Sequence, residues 1–159
     1  MTHFLCRYAK TYQIIGSLEL LLRSRISEAL REYSGSPNHE YWLDHLPLTW
    51  KGIESVNRAN SVLASSRNPE SEKLENYLPF SFWRYLLTKR NYTTLWLPTL
   101  HKAFPNIQNS LEFNTYKNLD HRMSRALKTR NSIAHYNDKR LPLLSEDEEN
   151  ILTLIRYLN

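Results

Sequence analysis

Glycine is scarce in this chain of 159 residues, with only Gly16, Gly35 and Gly52 present. A phosphate-cradling loop, a dinucleotide fold and an all-β architecture built on tight turns all draw on glycine, and its scarcity argues against each of them. Cysteine is scarcer still. The single Cys6 excludes an internal disulfide and a cysteine-rich zinc site, and it suits a reducing, cytoplasmic compartment. The N-terminus MTHFLCRYAK lacks a long apolar stretch behind a basic start, so no signal peptide or membrane span is readable and no membrane partner is expected. The six histidines, at positions 3, 39, 45, 101, 121 and 135, show neither H-x3-H nor H-E-x2-H spacing, and no serine sits in G-x-S-x-G. These absences predict a protein with no metal and no cofactor.

What the chain does contain suffices for one compact core. Hydrophobic residues make up 41% and aromatics 12%, ample apolar surface for a single domain of this length spanning residues 1–159. The apolar spacing is helical. Ile15, Leu18, Leu22, Ile26, Ala29, Leu30 and Tyr33 recur at threes and fours, predicting a helix over 12–33 that Ser34-Gly35-Ser36-Pro37 ends. Residues 38–47 show no sustained period and read as a packed connection with one helical turn. A weaker helix over 51–66 has Ile53, Val56, Ala59, Asn60, Leu63 and Ala64 on one side, and a short polar helix is expected over 70–77. Pro98 and Pro105 fence a brief helical segment. A long helix follows, with Ser110 as its cap and Leu111, Tyr116, Leu119, Met123, Ala126, Leu127, Ile133 and Ala134 on its stripe. Ser145-Glu146-Asp147-Glu148 supplies a capping box for a last helix. Trp42, Trp50, Trp83 and Trp96 each lie beside aliphatic residues and are expected in the core. The fold class is an all-α helical bundle.

The net charge of +5 is unevenly placed. Residues 84–140 hold eleven basic and three acidic side chains, whereas residues 36–83 and 141–159 are net acidic. A positive block between acidic neighbours makes a local field suited to a polyanion such as RNA. The block ends in KTRNSIAHYNDKR, residues 128–140. There Arg130 can grip two phosphate oxygens with its planar fork and neutralise charge building on a five-coordinate phosphorus. Asn131 can orient its neighbour or the substrate through an amide hydrogen bond. His135 carries an imidazole, the side chain best suited to moving protons at neutral pH. This set is sufficient for metal-free RNA cleavage in which the substrate's own 2′-hydroxyl attacks. Positions five apart on a regular helix are about 140° from each other, so either the helix loosens near residues 133–136 or a second chain completes the site. The bland reading is a surface arginine and a histidine balancing a helix C-terminus.

The run Arg130-Asn131-Ser132-Ile133-Ala134-His135, near the end of a long helix in a small helical chain, resembles the R-x4-H signature of the HEPN superfamily, and the chain as a whole resembles its Abi-like, abortive-infection group. Ser17-Leu18-Glu19-Leu20-Leu21-Leu22-Arg23-Ser24-Arg25-Ile26 is similar to that group's first long helix. Leu78-Pro79-Phe80-Ser81-Phe82-Trp83, Leu95-Trp96-x-Pro98 and Ala103-Phe104-Pro105 are similar to its central aromatic segments, and Leu154-Ile155-Arg156-Tyr157-Leu158 to its closing helix. The resemblance implies a HEPN-like bundle acting as a metal-independent endoribonuclease, a toxin or phage-defence effector, with Arg130, Asn131 and His135 catalytic and two copies of the motif meeting in a homodimer cleft. The alternative within the same superfamily is a non-catalytic module that binds RNA or a partner protein. An antitoxin or regulatory protein is a further partner compatible with it. Tyr136-Asn137-Asp138 stands where Abi-like members often continue His-Glu-Pro, and Asn137 occupies the place of a tyrosine modified in some HEPN toxins, so that regulation is not carried over. Lys128, Lys139 and Arg140 are read as holders of flanking phosphates, Tyr136 as a residue that either stacks on a base or covers the helix end, and Arg23 as a cleft residue whose competing role is a salt bridge to Glu19. Arg25 is a weaker candidate of the same kind, beside Glu28.

Overall fold

The computed structural model describes residues 2–34, 41–135 and 138–159. The protein is all-α, and no strand occurs among these residues. The α-helices are α1 (Thr2–Ser34), α2 (Tyr41–Asp44), α3 (Trp50–Ala64), α4 (Phe80–Leu86), α5 (Phe113–Ala134) and α6 (Leu144–Leu158), and short 3-10 and π-type turns join them. α1 packs along α6 and touches α5, and α5 in turn packs on α6. These three long helices form the frame that holds the end of α5.

α1 is longer than the predicted 12–33 because its buried face continues upstream. Tyr8 and Thr11 extend the stripe of Ile15, Leu18, Leu22, Ile26 and Leu30, and the Thr11 hydroxyl donates to Glu148 of α6 at 2.6 Å. Cys6 therefore lies within a helix. The one-turn α2 matches the packed connection, and its Trp42 ring sits 6.2 Å from that of Trp83, which meets Phe82 edge-on at 5.3 Å. A second aromatic group centres on Trp96, whose ring lies 4.9 Å from Tyr116 and 5.6 Å from Phe104. Its indole N–H donates to the Ser110 carbonyl at 2.7 Å, and the Tyr116 hydroxyl donates to the Thr88 carbonyl at 2.6 Å. These bonds occupy two carbonyls of the irregular stretch between α4 and α5, alongside the bonds within its own turns. Burial, followed by the nearby Asp120 carboxylate, pushes the Tyr116 phenol upward against the opposing effect of Arg84.

Five expectations are corrected. Trp50 is 69% exposed rather than in the core, and Ile53 is also exposed. α3 rests on its neighbours, α4 and the 3-10 turn Leu74–Tyr77, by one edge, and of its predicted stripe only Ala59 is fully buried. The helix expected over 70–77 is that single turn, fixed by Arg31 of α1 donating to the buried Glu75 at 3.1 Å. Ser110 does not cap α5, which begins at Phe113 after Glu112 with no side-chain cap; the Ser110 carbonyl is engaged by Trp96 instead. The capping box at Ser145 is absent too, since α6 starts at Leu144 without a side-chain cap, and Glu148, whose carboxylate would complete the box, accepts from Thr11 and Lys10 of α1. In this glycine-poor chain the left-handed backbone position before α5 falls to Asn109, φ 54°, a residue type that tolerates it.

Candidate functional site

The C-terminal part of α5 is anchored along one side only. Ala126, Thr129 and Ile133 are buried, while Lys128, Arg130, Asn131, Ala134 and His135 are exposed. The anchoring is ionic as well as apolar. Asp147 of α6 is fully buried and accepts from Arg125 Nε at 2.7 Å, from Arg140 Nε at 2.6 Å and from the Arg140 terminal nitrogen at 2.8 Å. Arg140 lies in the 3-10 segment Asp138–Leu143 and also donates to the Thr129 hydroxyl at 3.3 Å. One carboxylate thus ties α5, α6 and the segment following α5 together. Hydrogen bonds that Arg125 donates to Asp147, and then to Glu146, raise its guanidinium above its ordinary value.

Arg130 stands next to this brace in sequence but takes no part in it. Among the described residues its guanidinium reaches only the Asn131 side-chain oxygen, at 3.5 Å. The helix stays regular to Ala134, and His135 caps it, its backbone N–H bonding to the Asn131 carbonyl at 3.1 Å. No hydrogen bond or ion pair joins Arg130 to His135 among the described residues, and the helix does not loosen ahead of His135 to bring them together. Lys128, Asn131 and His135 follow the i, i+3, i+7 spacing that shares one side of a helix. Arg130 lies about 100° around from Asn131 and reaches it through its side chain. The exposed end of α5 therefore presents two cations, an amide and an imidazole, and apart from the Arg130–Asn131 contact their side chains hold no hydrogen bond or ion pair among the described residues.

The other predicted RNA contacts separate from this group. Arg140 spends its donors on Asp147 and Thr129, with its side chain only 18% exposed; its observed place is in the brace beneath the site. Arg23 lies 3.9 Å from Glu19 and 3.4 Å from the Asn76 side-chain oxygen, and Arg25 lies 3.8 Å from Glu28, so both have the local partners weighed from sequence. Lys139 is exposed in the same segment as Arg140. Tyr136 lies outside the described residues.

Sequence reasoning missed the role of Asp147. The signal was present: Leu144, Asp147, Ile151, Leu154 and Leu158 follow one another at threes and fours, so a carboxylate occupies a core position of α6 and demands a cationic partner. Among the described residues no group of three or more His, Cys, Asp or Glu side chains could hold a metal ion, and no helix is long and apolar enough to cross a membrane. Compared with known proteins, the chain matches no family model, no curated protein and no solved structure at a significant level.

Proposed function

We propose that this protein is a metal-independent endoribonuclease of the HEPN type that acts as a toxin or phage-defence effector, its active site assembled from the α5 ends of two chains. The observation that carries the reading is the exposed Arg130, Asn131 and His135 group, whose side chains bond to no other element among the described residues, on a helix end tied down by Asp147. A group held on a rigid element but unused by the fold is what a preorganised site requires.

In this reading His135 accepts the proton of a ribose 2′-hydroxyl, whose oxygen attacks the adjacent phosphorus. The bond to the 5′-oxygen breaks, and that oxygen takes a proton from the partner's histidine. The products are a 2′,3′-cyclic phosphate and a 5′-hydroxyl, with no net change in protons. Arg130 stabilises the charge on the nonbridging oxygens as the phosphorus becomes five-coordinate, and Asn131 orients Arg130 through the amide it already contacts. Separation of Arg130 from His135 within one chain is what a two-chain site needs, since each phosphate then meets groups from both copies.

Incubation with mixed RNA in the presence of a chelator is expected to yield fragments ending in 2′,3′-cyclic phosphate. Both Arg130→Ala and His135→Ala should abolish them. Undiminished cleavage by the His135 variant would remove that residue from the mechanism, and RNA binding without cleavage at any pH would favour the non-catalytic module.

A further inference from the structure

A second feature lies away from the end of α5. An open groove of about 810 Å³ runs between the start of α3 and α4, with Phe82 and Leu86 in its lining and Asp120 of α5 at one edge. Its rim carries Trp50, 69% exposed, and Tyr85, 51% exposed. Two large aromatic rings left in water at one groove are costly unless something covers them.

The charges of the groove select what that is. Its two acidic residues are already paired, Glu54 with Arg58 at 3.1 Å and Asp120 with Arg84 at 2.7 Å. Lys51, Lys89 and Arg90 also line it, and none has a carboxylate partner among the described residues. Lys51 stands 5.6 Å from the Trp50 ring centre, Lys89 stands 5.7 Å from that of Phe113, and Arg90 donates to the Pro47 carbonyl at 3.5 Å. Flat aromatic faces beside uncompensated cations bind bases by stacking and phosphates by charge. A hydrophobic partner helix would leave these three cations facing an apolar surface, which is unfavourable.

We propose that this groove binds single-stranded RNA, with a base stacked on Trp50 and backbone phosphates held by Lys51, Lys89 and Arg90. Asp120 and Arg130 are ten residues apart on the unbroken α5, about 15 Å along its axis, so a strand in the groove can extend toward the α5 end. The proposal takes from the nuclease reading only its choice of RNA over DNA.

The test is a fluorescence titration of the full chain with an eight-nucleotide oligouridylate. Trp42, Trp83 and Trp96 are buried, so quenching by a stacked base reports Trp50. We expect saturable quenching that weakens with salt and vanishes in Trp50→Phe. Trp50→Ala, read by filter binding, should weaken affinity roughly five- to a hundredfold. Lys89→Ala/Arg90→Ala should lower the salt-dependence slope by about 1.4. All these side chains are exposed, and an unchanged thermal midpoint verifies folding. Oligouridylate binding unaltered in both Trp50→Ala and Lys89→Ala/Arg90→Ala would overturn the groove assignment, as would dimers that dissociate on Trp50→Ala, which would place a second copy there. Loss of cleavage in His135→Ala with groove binding intact, or the converse, separates the two proposals: binding without any cleavage by wild type refutes the nuclease alone, and cleavage without groove binding refutes the groove alone.

Discussion

Replacing Asp147 by Asn removes one negative charge from beneath the end of α5 and takes from two guanidiniums their shared buried carboxylate, leaving Arg125 with Glu146 and Arg140 with Thr129. The carboxylate has no exposure, and it accepts three charge-assisted hydrogen bonds of 2.6 to 2.8 Å from Arg125 and Arg140. At about 1.5 to 3 kcal/mol apiece these bonds set an upper bound that the variant will not reach. Both arginines keep an edge to water, their side chains being 30% and 18% exposed, and hydration returns part of the loss. The expected destabilisation is about 3 kcal/mol, at the low end of the cost of breaking a buried pair. For a domain of 159 residues that corresponds to a fall of roughly 6 to 12 °C in thermal midpoint. Urea titration followed by far-UV circular dichroism should show the midpoint move with its slope unchanged. A loss below about 1 kcal/mol would equate Asp147 with an ordinary surface ion pair and refute the brace. A cycle with Arg140→Met adds a direct measure of coupling.

Three other outcomes follow from particular environments. Arg130→Ala and His135→Ala should each leave stability within about 0.5 kcal/mol of wild type, because both side chains are exposed; a larger loss in chemical denaturation would make them structural. Gly16 lies within α1 with nothing inside 4 Å of where a Cβ would sit, so Gly16→Ala should stabilise the protein by about 0.5 to 1 kcal/mol, and a lowered thermal midpoint would show that something packs against that position. The phenol of Tyr116 is raised by burial. Its contribution is therefore complete below the unfolded value of about 10 and declines as the pH rises beyond it. Stability of wild type should fall above that pH more steeply than that of Tyr116→Phe, and parallel profiles in alkaline denaturation would count against the shift.

The α1 and α6 stripes were legible because helical burial has a period that sequence displays directly, and the all-α class follows from them. The polar run Arg130, Asn131 and His135 could be read from sequence as an inventory, but only the contact of Arg130 with Asn131 follows from adjacency, because positions five apart on a regular helix point different ways. Residues such as Trp50 and Ile53 were misread because an apolar stripe shows which side of a helix could be buried without saying whether a neighbour arrives to bury it. The box over residues 145–148 was misread for the opposite reason. Local sequence offered the Glu148 carboxylate a place in a cap, but Thr11 and Lys10 of α1 hold it instead.

The sequence alone determined the helical class, the location of the excess positive charge and the chemical inventory at the end of α5, all of which depend on near neighbours. Tertiary structure decided which cations remain available. Arg140 is drawn into the buried Asp147 pair, whereas Arg130, ten residues upstream, is left facing outward with Asn131. That division turns on contacts between residues far apart in the chain, where the cost of burying an unpaired carboxylate outweighs any local preference.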